Sequence, residues 1–97
     1  MDYNEIIKSS PVVMVEFFAS WCPHCQRMMP IVAQIKELLE GSVNIYQFDI
    51  DQYGDLAQAE GADSVPTFII YKNGKEQWRE SGEMDGQVLL SKIQSYL

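Results

Sequence analysis

Histidine occurs once in these 97 residues, cysteine twice, and lysine and arginine together only seven times. A structural zinc site takes four ligands, whereas the two cysteines and His24 between them supply three, and His24 would have to fold back onto the same ion. A metal or iron–sulfur centre shared between two chains is the metal site this inventory leaves open. Seven basic residues against 14 acidic ones give a formal charge of −7. That is the wrong sign for nucleic acid or an anionic membrane, both of which are recognised through basic patches. The simplest meaning of the acidity is solubility. No apolar stretch approaches the roughly 18 residues that a membrane-spanning helix needs. The opening Met1-Asp2-Tyr3-Asn4-Glu5 is polar and acidic, unlike a secretory signal. The expectation is a cytoplasmic protein, or an extracytoplasmic one if the N-terminus has been trimmed.

What is present suffices for one core. The chain is 46% hydrophobic, which argues against disorder, and shows no linker, repeat or low-complexity segment, so residues 1–97 read as a single domain. Asp2 to Ser9 predicts a short helix closed by Ser10-Pro11. Val12 to Phe18 is almost continuously apolar, the pattern of a central strand covered on both faces. From Pro23 to about Glu40, Met28, Ile31, Val32, Ile35, Leu38 and Leu39 recur at helical spacing until Gly41. Pro30 inside this run removes a backbone hydrogen bond and predicts a kink. Val43 to Ile50 reads as a strand whose alternation slips at Tyr46-Gln47, and Asp51 to Glu60 as a short polar helix. Pro66 opens a strand from Thr67 to Tyr71. Asn73-Gly74 is a type I′ hairpin signal that pairs Glu76 to Ser81 with it. Asp85 to Leu97 predicts a closing helix with Val88, Leu89, Ile93 and Leu97 on one side. The order αβαβαββα fits an α/β chain with a mixed sheet and helices on both faces.

The two cysteines sit in Trp21-Cys22-Pro23-His24-Cys25, between a predicted strand and a predicted helix. A cysteine at a helix N-terminus meets unpaired N–H groups and the positive end of the dipole, which stabilise the reactive thiolate. A second thiol one turn on can resolve a mixed disulfide. A purely structural disulfide across so short a loop would restrict the unfolded chain only slightly and would leave this position unexplained. The pair therefore reads first as a dithiol for disulfide exchange. Asp49, Asp51, Gly54, Asp55 and Glu60 imitate a calcium loop, but Tyr53 stands where a ligand is needed and the entering segment alternates as a strand.

Val15-Glu16-Phe17-Phe18-Ala19-Ser20-Trp21-Cys22, Pro30, Ile50-Asp51-Gln52, Val65-Pro66-Thr67, Tyr71-Lys72-Asn73-Gly74 and Gly82 together resemble the thioredoxin family in order and spacing, over nearly the whole chain. The resemblance implies the thioredoxin fold, a central mixed four-stranded sheet flanked by helices. It implies that Cys22 attacks a disulfide as thiolate and that a more buried Cys25 resolves the product. It also implies a cis Val65-Pro66 bond beside the cysteines, whose preceding backbone pairs with an extended substrate strand. Trp21, Val65, Pro66 and Gly82 would form an apolar contact patch. No bound cofactor is implied. The partners would be protein disulfides or dithiols and a reductase or oxidase, with neither nucleic acid nor membrane.

Three features depart from the family pattern. Pro23-His24 replaces the usual Gly-Pro and matches the dipeptide of periplasmic disulfide-forming oxidases, as does Val65 before Pro66. This chain has no room for the helical insertion of those oxidases. A first-turn histidine can donate a hydrogen bond or positive charge to the Cys22 thiolate, and stabilising that reduced form makes the disulfide a stronger oxidant. The expected potential lies between roughly −270 mV for thioredoxin and roughly −120 mV for the strongest such oxidase. Glu16 stands where the family has aspartate; sharing a strand face with Met14 and Phe18, it is expected to point inward, with a raised pKa suited to proton transfer with Cys25. Gln47 replaces the lysine that accompanies this carboxyl. Finally, the family's N-terminal strand is lacking, which would leave Val43 to Ile50 as a sheet edge and allow a monomer or a weak edge-strand dimer. A binding or assembly module on the same fold, without catalysis, is the alternative reading.

Overall fold

Seven residues with almost no polar side chain have to be covered on both sides, and Val12–Phe18 forms an inner strand, β1. The computed structural model describes residues 2–97. Parallel to β1 runs β2 (Asn44–Asp49); on the other side lies β3 (Thr67–Lys72), antiparallel, followed by β4 (Lys75–Ser81). The sheet order is β2-β1-β3-β4, so β2 is an edge among the described residues. The helices are α1 (Tyr3–Ile6), α2 (Pro23–Leu38), α3 (Gly54–Ala59) and α4 (Gly86–Gln94).

Alternate residues of β1 feed two cores. Val12 and Met14, with Ile45, Phe68 and Ile70, pack under Met28, Val32 and Ile35 of α2 and Leu89 and Ile93 of α4. Val13, Val15 and Phe17, with Phe48, Ile69 and Tyr71, pack against Ile7 and Ala57 on the side of α1 and α3. Full burial of each such side chain stabilises by about 1.5–3 kcal/mol. Phe17 and Phe48 are register partners whose rings stack at 5.7 Å, and Tyr3 closes over both before its hydroxyl meets that of Tyr71 at 2.7 Å.

Several boundaries differ from the sequence reading for local reasons. A capping box of Asp2 and Glu5 starts α1, but it stops at Ile6, where the Ser9 hydroxyl donates to the Ile6 carbonyl at 2.6 Å and competes with further helix. The apparent slip in β2 arises because the strand feeds both cores: Ile45 faces the α2/α4 side and Phe48 the α1/α3 side, while Gln47, on the same face as Ile45, is exposed and reaches inward only with its amide. Leu38, Val88 and Leu97 are exposed instead of core-facing. Leu89 and Ile93 already occupy the buried stripe of α4, from which Val88 is turned by one residue, and Leu97 lies past the helix end. Helix α2 continues through Pro30, which sits on its exposed side, where the missing donor is least harmful. At the β3–β4 turn, Asn73 and Gly74 have φ of 52° and 79°, both positive as a type I′ turn requires.

Helices α2 and α4 approach closely at Gly86, where a Cβ would stand 2.8 Å from Ile31 Cγ2. The β-branched Ile31 has little freedom to retreat. Gly86→Ala is therefore expected to lower stability by about 1–2 kcal/mol in urea denaturation, although alanine is the better helix former. An unchanged or raised midpoint would show that the two helices separate without penalty.

Candidate active site

Strand β1 ends at Phe18, and a turn closed by the Cys22 N–H donating to the Ala19 carbonyl at 3.2 Å delivers Cys22 to the N-cap of α2. Its backbone is extended (φ −86°, ψ 121°), and Pro23 occupies the first turn, where a helix has no use for the missing N–H. Gln26 secures the turn by donating its side-chain amide to the Ser20 carbonyl at 2.9 Å. Both cysteines are free thiols, Cys22 6% exposed and Cys25 1%. They pack with Ala19 and against Phe18, Ile50 and Val65.

The two sulfurs are tuned in opposite directions. The Cys22 thiol is held below its ordinary value, chiefly by the backbone N–H of Cys25; burial opposes this, and the Cys25 S–H, the backbone N–H of His24 and, least, the charge of Arg27 lower it further. Burial pushes Cys25 up to about 11, and its hydrogen bond to Cys22 and the charges of Cys22 and Glu16 add to this. The Ala19 N–H, which donates to Cys25 Sγ at 3.5 Å, opposes the rise. The first thiol ionises easily and the second keeps its proton.

Glu16 points inward, 2% exposed. Burial raises its pKa to about 7, against the pull of the Gln47 amide, which donates to Oε1 at 2.9 Å. Gln47 is the register partner of Glu16 across β1 and β2, so the residue that broke the apparent alternation is the one that satisfies the buried carboxyl.

The Val65-Pro66 bond is cis, and the Cys22 thiol lies 3.9 Å from the Val65 carbonyl oxygen, to which it donates. Gly82 N–H donates to the Pro66 carbonyl at 2.8 Å, which ties the end of β4 to this loop. Val65 is half-buried and Pro66 buried. Trp21 stands out, 62% exposed, its indole N–H donating to Asp51 Oδ2 at 3.1 Å. Thus Cys22, Cys25, Glu16, Val65, Pro66 and Gly82 converge, with Trp21 at the rim. The ring of His24 is placed differently from the expectation: Nδ1 lies 2.9 Å from Glu83 Oε1 and 3.0 Å from Arg27. It is the backbone N–H of His24, not the ring, that lowers Cys22. The roles of Arg27 and Glu83 escaped the sequence reading, because Glu83 meets α2 across 56 residues and no local pattern marks the pair.

Because folding raises the Glu16 pKa from 4.5 to about 7, the folded state binds the extra proton between those values. Stability linked to it is complete at low pH and is lost as the pH rises through about 7. Glu16→Gln keeps a neutral amide there and is expected to be more stable than the wild type by about 3 kcal/mol at pH ~8, the two converging near pH ~4. Urea denaturation at both pH values reads this; a gap independent of pH would mean that Glu16 ionises like a surface carboxylate.

The comparisons agree with this geometry. The thioredoxin family model matches residues 1–95. Chloroplastic thioredoxin Y of Oryza sativa subsp. japonica is 35% identical over 96 residues, 98% of this chain and 57% of that protein. The chain spans a little over half the length of the first such curated relatives. A thioredoxin-like protein of Synechocystis is 30% identical over 97 residues, 99% of this chain and 92% of that one. A mutant thioredoxin from Halobacterium salinarum superposes with a TM-score of 0.87 at 29% identity, over 96% of this chain and 80% of that one. With a paired thiol site at the head of α2, a mixed four-stranded sheet and these likenesses over nearly its full length, the chain belongs to the thioredoxin family.

Proposed function

We propose that this chain is a thiol–disulfide oxidoreductase acting on protein disulfides or dithiols, with Cys22 as nucleophile and Cys25 as resolving thiol. The observation that carries this is the opposite tuning of the two thiols, one lowered at the N-terminus of α2 and one raised behind it. The Cys22 thiolate attacks one sulfur of a substrate disulfide; the substrate S–S bond breaks, and the leaving thiolate takes a proton from solvent. Cys25 then gives its proton to ionised Glu16 and attacks Cys22 Sγ. The mixed disulfide breaks, the second substrate thiolate leaves and is protonated, and the Cys22–Cys25 disulfide remains. Run backwards, the same steps oxidise a dithiol. An extended substrate strand lies along the backbone at Val65, on a surface made by Trp21, Val65, Pro66 and Gly82. A reductase or oxidase partner restores the pair.

The disulfide is also proposed to be more oxidising than that of thioredoxin. Pro23-His24 between the cysteines supports this, as do the N–H groups and Arg27 charge that stabilise the Cys22 thiolate, since whatever favours the reduced form raises the potential. A binding module without catalysis has one observation in its favour, the edge of β2, which would also be the place where two copies pair.

Redox equilibrium against glutathione, read by Trp21 fluorescence, is expected to give a potential above roughly −270 mV. A value at or below that figure would make the protein a reductase of ordinary strength. Cys22→Ala is expected to abolish disulfide reduction, and a variant that kept full function would favour the binding module.

A further inference from the structure

Glu83 follows Gly82 in the connection between β4 and α4, and its carboxylate gathers two side chains from α2. Arg27 Nε donates to Oε1 at 2.9 Å and to Oε2 at 3.0 Å, and a terminal nitrogen of Arg27 lies 2.9 Å from Oε1. His24 Nδ1 also lies 2.9 Å from Oε1 and 3.0 Å from Arg27. His24, Arg27 and Glu83 are all exposed. Pairs this exposed contribute little to stability, so fold stability is a poor reason for the convergence. Position is a better one. His24 and Arg27 occupy the opening turns of the helix that Cys22 caps, and the guanidinium charge reaches Cys22. Facing the same sulfur are Cys25 and, acting through Cys25, the buried Glu16 of β1; Asp51 is engaged by Trp21. Arg27 is therefore the cation that acts on Cys22, and Glu83 is the anion bound to that cation.

We propose that Glu83 is a positioning residue of the redox pair: it holds Arg27 and His24 in one charge-balanced cluster on the flank of α2 and so limits the positive field at Cys22. The inference rests on the oxidoreductase reading and deepens it. The N–H groups at the head of α2 and the Arg27 charge favour the Cys22 thiolate, and Glu83 holds that tendency back. Arg27 and His24 keep the carboxylate ionised down to about pH 2, so the restraint is permanent at working pH. No chemical step is added: removing the negative charge favours the Cys22 thiolate, hence the reduced form, hence a more oxidising disulfide.

The test is the pH dependence of Cys22 alkylation by iodoacetamide, with the glutathione equilibrium alongside, in wild type, Glu83→Gln, Glu83→Asp and Arg27→Gln. Glu83→Gln is expected to move the alkylation profile to lower pH and the equilibrium about two- to five-fold toward a more oxidising pair, the size of one exposed charge pair. Glu83→Asp should stay near wild type. Arg27→Gln, which leaves Glu83 unbalanced, should move the profile the opposite way, a result that distortion of the loop would not produce. The differences should shrink as salt rises from about 50 mM to about 1 M, because exposed charges are screened. Profiles that superimpose at low salt, or that shift alike in Glu83→Gln and Arg27→Gln regardless of salt, would overturn the proposal. Alkylation reads Cys22 ionisation whether or not the pair exchanges. A wild type that fails to equilibrate with glutathione would therefore end the oxidoreductase reading as a separate result.

Discussion

Strand β1 leaves no face for water. Its side chains enter both cores, and β2 and β3 take up its backbone on either side. Because it is closed on every side, β1 offers the chemistry only two things, a carboxyl buried along its length and the point where the chain leaves the sheet. Glu16 is the first and the turn to Cys22 is the second. The site is thus assembled from the end of a fully desolvated element. The burial that raises the Glu16 pKa is the same burial that holds the strand in place, and Gln47 satisfies the carboxyl without neutralising it.

The division of labour between the thiols follows from a few ångströms of depth. Cys22 caps α2, where the backbone N–H groups of Cys25 and His24 favour its thiolate, whereas Cys25 lies one turn inside, against Ala19 and the Glu16 side of the sheet. An N-terminal sulfur gains from the helix, and a buried one loses hydration. The same peptide thus holds one thiol that ionises easily and another that keeps its proton. The cis Val65-Pro66 bond and the Gly82 hydrogen bond bring a loop and a strand end beside this pair. One residue after Gly82, Glu83 balances the charge of Arg27, which makes the connection after β4 part of the electrostatics of α2.

Much of this was legible in the chain itself. Val12 to Phe18 announced a strand buried on both faces, the run from Pro23 announced a helix, and Asn73-Gly74 announced a hairpin; all three are present because each depends on residues close in sequence. Glu16 was placed inward by simple alternation. Val88 falls outside the buried stripe because a period of 3.6 marks a stripe without saying how wide a stripe the partner covers, and Leu97 lies beyond the end of α4. The slip at Tyr46-Gln47 marks the point where β2 passes its apolar residues from one core to the other, Ile45 on one face and Phe48 on the opposite one, which no single alternation can describe.

Sequence by itself determined the elements, the pairing of cysteines with a helix N-terminus and the inward carboxyl, since these follow from periodicity, turn chemistry and nearest-neighbour geometry. Tertiary structure alone decided the partners: Gln47 on Glu16, Asp51 on Trp21, and Glu83 on His24 and Arg27. The His24 ring shows the difference. Its place in the first turn of α2 was plain from the chain, yet the group it meets was not, because an exposed side chain takes the strongest charge in reach. That charge is delivered by a loop 59 residues away.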